Sequence, residues 1–335
     1  EYINLAESNG YSLYGMREGD LSGYPEPQDL TQRTLRFTFM DKDNSKEVLF
    51  AETRKAGAYG LQPKSLPYLS DGSWNGVAPT LTMVERFYTK NGLPIDEDPE
   101  FDYQNRFSVV PFPDGATYGE GQTIKLNVDR EPRFYAWLSF DGDEFGQKIC
   151  DGSPLIVQVR NSLKQGYNPS KFNRDNCTTG YFLKKWAAPD LTFRKDGGYN
   201  YRSVPTPFIR LSELYLSLAE CHAALGEQQS ALDKLNEVRE RAGISAIGAK
   251  DLNEMPLMDW IRNERFVELF AEGHRYYDAR RWMIAPQLFK AGVREGLNAI
   301  EKENPTFEEF NRRTKVDQPF QWDDRMYLLH VNARE

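Results

Sequence analysis

The sequence has few of the residues that bind metal ions or carry redox chemistry. Three histidines and three cysteines occur among 335 residues, and no two cysteines form a Cys-x-x-Cys pair. Zinc-ribbon and thioredoxin-type motifs are therefore excluded, and we expect neither a metal site nor a cofactor. Cys221 lies in a predicted helix and is expected to be a small buried apolar residue. A disulfide between Cys150 and Cys177 stays an open alternative.

The sequence also lacks long apolar runs and an excess of positive charge. No stretch of about 18 apolar residues occurs, which excludes a membrane-spanning helix. Lysine and arginine number 42 against 50 aspartate and glutamate residues, giving a net charge of −8. This balance argues against a nucleic-acid partner. Phosphate-binding loops, the His-Glu-x-x-His motif and a serine nucleophile elbow are missing too, so the enzyme classes that use them are not indicated.

Aromatic residues and chain-breaking residues are plentiful instead. Phenylalanine, tyrosine and tryptophan make up 13% of the chain, which also has 25 glycines and 19 prolines. The length suits one large domain. We expect a single domain with four stretches: residues 1–50 end a helical repeat and connect it onward, 51–206 form a loop-rich region with short strands, 207–290 form helices, and 291–335 are irregular.

The spacing of apolar residues predicts the helices. From residue 211 they recur three and four positions apart, and Gly226 and Gly243 end two successive helical patterns. The pair matches one tetratricopeptide repeat, with Ala219 and Ala231 where the helix axes approach closely. The second helix of the pair covers Gln229–Ala242, and further helices are predicted over Pro79–Asn91, Leu257–Ala271 and Tyr276–Met283. The predicted fold class is mainly α, with tetratricopeptide-type helix pairs and a large irregular region.

Two acidic segments invite a calcium-binding interpretation. In residues 41–52, Asp41, Asp43, Ser45 and Glu52 occupy ligand positions of an EF-hand loop. Lys46, however, stands where the sharp turn of that loop requires glycine. We therefore predict a solvated turn before a strand, and a plain hairpin or loop for residues 141–146.

Acidic residues also recur in the third predicted helix. Glu264, Glu268 and Glu272 lie one helical turn apart, and arginines are interleaved with them and follow them. Paired carboxylates can cleave glycosides, but only where they flank a cleft. The alternation with arginine favours an ion-pair network between helices.

Aromatic residues in the loops are the better indication of function. Flat rings of tyrosine and tryptophan stack on sugar rings, while nearby polar groups bond to hydroxyls. The alternative for each ring is that it anchors its loop on the core. The candidate ligand-binding residues are Tyr59, Tyr68, Asp71, Trp74 and Asn75 in the first loop and Tyr167, Trp186 and Tyr199 in the second.

Three motifs in the C-terminal half resemble the SusD/RagB family. Residues 210–220 fit its Arg-Leu-x-Glu-x-Tyr-Leu-x-x-Ala-Glu helix, and residues 231–243 fit Ala-x-x-x-Leu-Asn-x-Val-Arg-x-Arg-Ala-Gly. Residues 264–282 carry the third motif, including Glu272-Gly273-His274-Arg275 and Arg280-Arg281-Trp282. Weaker similarity continues upstream at residues 47–51, 74–80 and 130–142. The resemblance covers nearly the whole chain.

The resemblance implies a SusD-like fold and a non-catalytic role. Such proteins are expected at the surface of the outer membrane of Bacteroidetes-type bacteria, where they bind glycans for a SusC-like TonB-dependent transporter. The family's lipid-anchor cysteine and first repeats have no match here, so we expect a chain that lacks its N-terminal part and its anchor. The family has no fixed ligand motif, which leaves the candidate residues dependent on loop chemistry.

Three alternatives stay open at this level. A peptide-binding or glycoprotein-binding receptor of the RagB type is close to the glycan receptor. A tetratricopeptide interaction adaptor needs an array of repeats, of which one is visible. A glycoside hydrolase needs two carboxylates that face a cleft.

Overall fold

The computed structural model describes residues 1–328 other than 18, 22, 42–43, 54–59, 70–72, 113–120, 150, 173–174, 195–197, 200–202, 290–291, 293 and 317–321. In this part of the chain, helices are more extensive than strands, which confirms the mainly α class. None of the helices found there is long and apolar enough to cross a lipid bilayer.

Short helices alternate with loops in the first part of the chain. They are α1 (Tyr2–Ser8), α2 (Leu30–Phe37), α3 (Leu61–Ser65), α4 (Leu81–Val84) and α5 (Pro132–Trp137). Three longer helices follow: α6 (Leu211–Ala224), α7 (Gln228–Arg241) and α8 (Leu257–Glu268). The remaining helices are short again: α9 (His274–Arg281), α10 (Ala285–Phe289) and α11 (Phe307–Phe310). The predicted positions of α6 to α9 are thus confirmed to within a few residues.

The strands form two-stranded antiparallel ribbons. The pairs are β1 (Val48–Glu52) with β8 (Thr206–Arg210), β2 (Val109–Pro111) with β3 (Gln122–Ile124), β4 (Leu138–Ser139) with β7 (Phe182–Leu183), β5 (Glu144–Lys148) with β6 (Pro154–Ile156), and β9 (Glu295–Leu297) with β10 (Arg313–Lys315). In the first ribbon Val48 lies opposite Arg210 and Glu52 opposite Thr206. This ribbon joins the two ends of the loop-rich region to the start of α6.

Helices α6 and α7 pack on each other, and α8 packs on α6. Gly226 and Gly243 have φ angles of 79° and 74°, the left-handed conformation that ends a helix, as predicted. Ala219 and Ala231 are fully buried in this helical layer. The likeness of the pair to a tetratricopeptide repeat stays a prediction.

The helix predicted over Pro79–Asn91 is much shorter in the structure. Helix α4 ends at Val84 because the buried guanidinium of Arg130 donates to carbonyl oxygens that a longer helix would use. Its Nη2 lies 2.8 Å from the oxygen of Val84 and 2.7 Å from that of Phe87. Tyr88 likewise gives its amide to a side chain, Oε1 of Glu131, at 2.9 Å.

The sequence interpretation missed helix α2, which lies in a stretch taken to be polar connector. Asp29 caps it by accepting from the amide of Gln32 at 2.7 Å, a usual helix start. Helix α2 packs on α5, and the fully buried Trp137 donates its indole N–H to the oxygen of Leu35 at 3.1 Å. These two helices enclose part of the core.

The structure tests the predicted burial of Cys221 and describes one of the two cysteines considered for a disulfide. Cys221 is exposed on α6, so the prediction of a buried residue is wrong: its position faces away from the packed side of the helix. Cys177 is a buried thiol that donates to the oxygen of Tyr181 at 3.3 Å, and burial raises its pKa to about 12. Cys150 lies outside the described residues.

The acidic turn at residues 41–52 is less solvated than predicted. Asp41 is fully buried and accepts from the hydroxyl of Tyr14 at 2.9 Å, so its carboxylate organises the turn from within. Strand β1 follows, as predicted; Asp43 lies outside the described residues. In the second acidic segment, Asp141 accepts from the amide of Val159 and from Nε of Arg160, each at 2.7 Å, which makes it part of a closed loop.

Candidate functional site

The acidic residues of the third motif lie inside the protein. The side chains of Glu264 and Glu268 have no exposed surface, and Glu272 has almost none. Arg133 of α5 reaches both of the first two: its Nη1 lies 2.5 Å from Glu264 Oε1 and 3.1 Å from Glu268 Oε2. Its Nε bonds to Glu131 Oε2 at 2.7 Å.

Two more arginines complete the arrangement around Glu268. Nη1 of Arg210 lies 2.6 Å from Glu47 Oε1 and 2.7 Å from Glu268 Oε1, while its Nε lies 2.7 Å from Glu272 Oε2. Arg241 bonds to Glu47 Oε2 at 2.8 Å and also to Glu268. We call this set the ion-pair network, which comprises Glu47, Glu131, Arg133, Lys185, Arg210, Arg239, Arg241, Glu264, Glu268 and Glu272.

The ion-pair network decides between the two interpretations of these acids. Glycoside cleavage requires a pair of carboxylates with room between them for a sugar and, in one mechanism, a water. Here Glu264, Glu268 and Glu272 face arginines and a lysine at hydrogen-bond distance in the core. They hold α5, α7, α8 and the first ribbon together and do not line a cleft.

The charges of the network lower the pKa values of two of its acids. Burial alone raises the pKa of Glu268, but the nearby Arg241, Arg210 and Arg133 outweigh it and hold that pKa well below its usual value. Burial likewise raises the pKa of Glu272, but Arg210 and Lys185 outweigh burial and lower that pKa. At neutral pH both acids are therefore charged.

Acid is expected to destabilise the fold. Glu268 and Glu272 titrate lower in the folded state than in the unfolded chain, where the value is about 4.5. Their contribution to the free energy of unfolding is thus complete above about pH 4.5 and is lost as the pH falls through the folded values. Burial raises the pKa of Glu131, which offsets part of this loss. Urea unfolding at about pH 7, 5 and 3 measures the effect; equal midpoints at all three would contradict it.

The first candidate loop is fixed by Asn75, which adopts a positive φ of 49°. Its Oδ1 accepts from the amide of Tyr68 at 2.5 Å. Its Nδ2 donates to the oxygen of Asp175 at 2.7 Å and to that of Gln165 at 3.4 Å. Asn75 is buried, so it joins the two predicted ligand-binding loops and does not face solvent.

Gln165 makes the reciprocal connection from the second loop. Its Nε2 donates to the oxygen of Tyr68 at 2.8 Å, and its Oε1 accepts from the amide of Gln158 at 3.0 Å. Lys171 then places its ammonium 4.9 Å from the centre of the Tyr68 ring. The same ammonium donates to the oxygen of Gly166 at 2.9 Å, which holds it beside the ring.

These contacts bring the ring of Tyr68 and the ammonium of Lys171 together where the two loops meet. We give the name aromatic loop face to five side chains of the two loops that reach solvent, which are Tyr68, Trp74, Tyr167, Lys171 and Phe172. Tyr68, Trp74 and Tyr167 are half-buried, whereas Phe172 is 71% exposed. Rings that keep one face in solvent can stack on a ligand, and the lysine can donate to its oxygen atoms.

The other predicted site residues lie elsewhere. Trp186 is 3% exposed, donates to the oxygen of Ala271 at 3.0 Å and packs 5.0 Å from Phe39, so its ring belongs to the core. Tyr199 is half-buried and pairs with Phe193 in an antiparallel bridge, with the two ring centres 6.2 Å apart. Tyr59 and Asp71 lie outside the described residues.

Sequence reasoning did not single out Gln165, Lys171 or Phe172. The run Tyr-Asn-Pro-Ser-Lys-Phe-Asn carried a usable signal, since proline and asparagine next to an aromatic residue are typical of an exposed loop. The role of Gln165 has no such signal, because it depends on a loop about 90 positions away in the chain.

Comparisons with known proteins agree with the fold. The family model described as the SusD family matches residues 44–335. Two solved structures of BT4246 are 40% identical to the chain, with TM-scores of 0.84 and 0.85. They align with 97% of this chain, which covers 59% and 57% of theirs.

Two further similarities are weaker or shorter. A SusD-like protein of Bacteroides fragilis, BF3747, is 23% identical with a TM-score of 0.68 over 97% of this chain and 57% of its own. A SusD-like protein of Formosa agariphila, P25, is 39% identical over 77 residues, or 22% of this chain and 15% of that protein. The chain thus spans less than three fifths of the length of these solved relatives.

Proposed function

Because the chain belongs to the SusD family, we propose that it is a non-catalytic receptor for oligosaccharides. It binds them at the surface of the outer membrane and passes them to a SusC-like TonB-dependent transporter. A lipid anchor holds the receptor at the membrane. Residues 51–206 carry the ligand site, and the tetratricopeptide-type helices of residues 207–290 support it within one domain.

The aromatic loop face carries the ligand part of this proposal. Sugars present flat C–H faces to aromatic rings and hydroxyl groups to hydrogen-bond partners. Tyr68 and Trp74 supply rings on one loop, and Lys171 supplies a donor from the other. The bonds of Asn75 and Gln165 fix both loops before a ligand arrives, so little conformational entropy is lost on binding.

The chemistry of the buried acids supports a receptor over an enzyme. The acids that suggested glycoside cleavage are bonded in the ion-pair network and lie in a different place from the aromatic loop face. A shallow face with a few rings favours weak and reversible binding, with a Kd of about 1 μM to 1 mM. Such affinity suits a protein that releases its ligand to a transporter.

Replacing Trp74 or Tyr68 by alanine is expected to raise the Kd for the cognate glycan about tenfold or more, because each substitution removes a stacking ring. Affinity gel electrophoresis against soluble polysaccharides identifies the glycan, and isothermal titration gives the Kd. Tyr277→Ala is the matched control, since Tyr277 is an exposed ring on α9, away from the face. Its affinity is expected to equal that of the unsubstituted protein.

The same experiment separates the alternatives. Glycan binding that neither substitution weakens contradicts the assignment of the site to the aromatic loop face. Binding of peptides without binding of any glycan favours the RagB-type receptor. Release of reducing sugar during incubation with the bound polysaccharide contradicts the non-catalytic role.

A further inference from the structure

A cavity of about 330 Å³ lies between α8, α9 and the segment that leads into α4. Its volume is at the lower end of the range for small-molecule sites. The cavity has an apolar wall formed by Val77, Ala78, Pro79, Met83, Leu183, Phe266, Leu269 and Phe270. None of these residues belongs to the aromatic loop face.

Arg275 gives this apolar cavity a positive charge. Its guanidinium stacks over the ring of Phe266, 4.1 Å from the ring centre. Among the residues that the structure describes, no carboxylate lies within ion-pair distance of it. Burial and the nearby Arg86 lower the pKa of Arg275 to about 10, so the side chain is charged at neutral pH.

The remaining charged groups at the cavity are already paired. Arg265 lies 2.7 Å from Asp278, whose second oxygen accepts from Arg281 at 2.8 Å. His274 has Glu213 as its neighbour, at 3.7 Å. Asp278 is therefore bonded to two other arginines; its charge raises the pKa of Arg275, but it forms no ion pair with that guanidinium.

Arg86 adds to the excess of positive charge. Its guanidinium lies 6.0 Å from the centre of the Phe266 ring, on which Arg275 stacks, and its Nη1 donates to the neutral side chain of Asn263 at 3.5 Å. Arg86 does not itself line the cavity, but its charge acts on Arg275 and lowers the pKa of that guanidinium. An anion bound beside Arg275 offsets this repulsion.

We propose that this cavity binds a small carboxylate with a flat apolar body, whose carboxylate bonds to Arg275 and whose body contacts Phe266, Leu269 and Met83. An arginine fork matches the two oxygens of a carboxylate, which a lysine cannot do as well. A neutral sugar fits poorly, because its many hydroxyls need partners that the apolar wall does not offer. The site is separate from the glycan receptor function and does not depend on it.

Isothermal titration with trans-cinnamate tests the site directly. Trans-cinnamamide is the matched probe, since it has the same shape without the charge. The 1–335 chain is expected to bind cinnamate at least about tenfold more tightly than the amide, the effect of one charge-assisted contact. Arg275→Met keeps the packing on Phe266 and is expected to remove this preference.

Two further variants keep the test decisive. Arg280→Met removes an arginine of the same helix that instead donates to Tyr276 and to the oxygen of Tyr327, so cinnamate binding should persist. Ala78→Phe fills the cavity and should abolish binding of both probes. Equal affinity for acid and amide, binding that Arg275→Met leaves unchanged, or no binding of cinnamate overturns the proposal. Glycan binding by Arg275→Met is expected to be unchanged, so this outcome is distinct from the receptor function.

Discussion

Replacing Glu268 by glutamine is expected to lower the free energy of unfolding by about 3–5 kcal/mol. The substitution keeps the size of the side chain but removes the charge that Arg133, Arg210 and Arg241 share. Breaking a buried pair from one side leaves the partner charges desolvated and uncompensated, which costs more than the pair itself contributes. Total stabilities of about 5–15 kcal/mol make this a large fraction.

Urea unfolding at neutral pH measures this loss, and Asp259→Asn on the same helix is its control. Asp259 is mostly exposed and lies 3.9 Å from Arg262, so its loss should change stability by less than about 1 kcal/mol. The glutamine variant should also show a weaker dependence of stability on acid. A Glu268→Gln protein as stable as the control would mean that the ion-pair network does not hold the core together.

Replacing Trp137 by alanine is expected to cost about 3–5 kcal/mol as well, through a different cause. The indole is fully buried, lies 6.5 Å from the ring of Phe87 and has the ammonium of Lys185 3.8 Å from its centre. Alanine leaves a cavity that the neighbouring helices cannot fill and removes the bond to Leu35.

Trp137→Phe separates packing from hydrogen bonding. Phenylalanine retains a ring but not the indole N–H, so we expect a loss of about 1–2 kcal/mol, smaller than that of alanine. The midpoints of thermal and urea unfolding of the three proteins give the order. If alanine and phenylalanine cost the same, the indole ring does not stabilise the core by packing.

The helices were predictable where a local pattern agreed with the tertiary structure. In α6 and α7 the apolar spacing, the small residues and the terminal glycines all indicate the same boundaries. The segment after Pro79 has helical spacing too, but Arg130 takes its carbonyl oxygens from a distance of over 40 positions. No local pattern could indicate that contact.

The sequence indicated that these acids form ion pairs, but it did not indicate which residues are their partners. The alternation of Glu264, Glu268 and Glu272 with arginine indicated pairing, and the structure confirms it. The sequence gives no reason to choose Arg133 or Glu47 as partners, because each lies more than 130 positions from Glu264. Long-range partners of this kind follow only from the fold.

The candidate site was also predictable only in part. Composition located the two aromatic loops, and Tyr68 and Trp74 in them keep solvent contact. It could not separate exposed from buried members, so Trp186 entered the candidate list although it packs in the core. The side chain of Asn75 was expected to bond to ligand hydroxyls, whereas its partners are backbone groups of both loops.

The ion-pair network joins residues that lie far apart along the chain. Its members extend from Glu47 just before β1 to Glu272 just before α9. The arginines that pair with Glu47, Arg210 and Arg241, lie 163 and 194 positions later in the chain. A chain that ends before Glu268 leaves these arginines without the carboxylate that they share. The last turn of α8, which carries Glu268, thus completes the core, and a chain truncated before it is not expected to reach the native state.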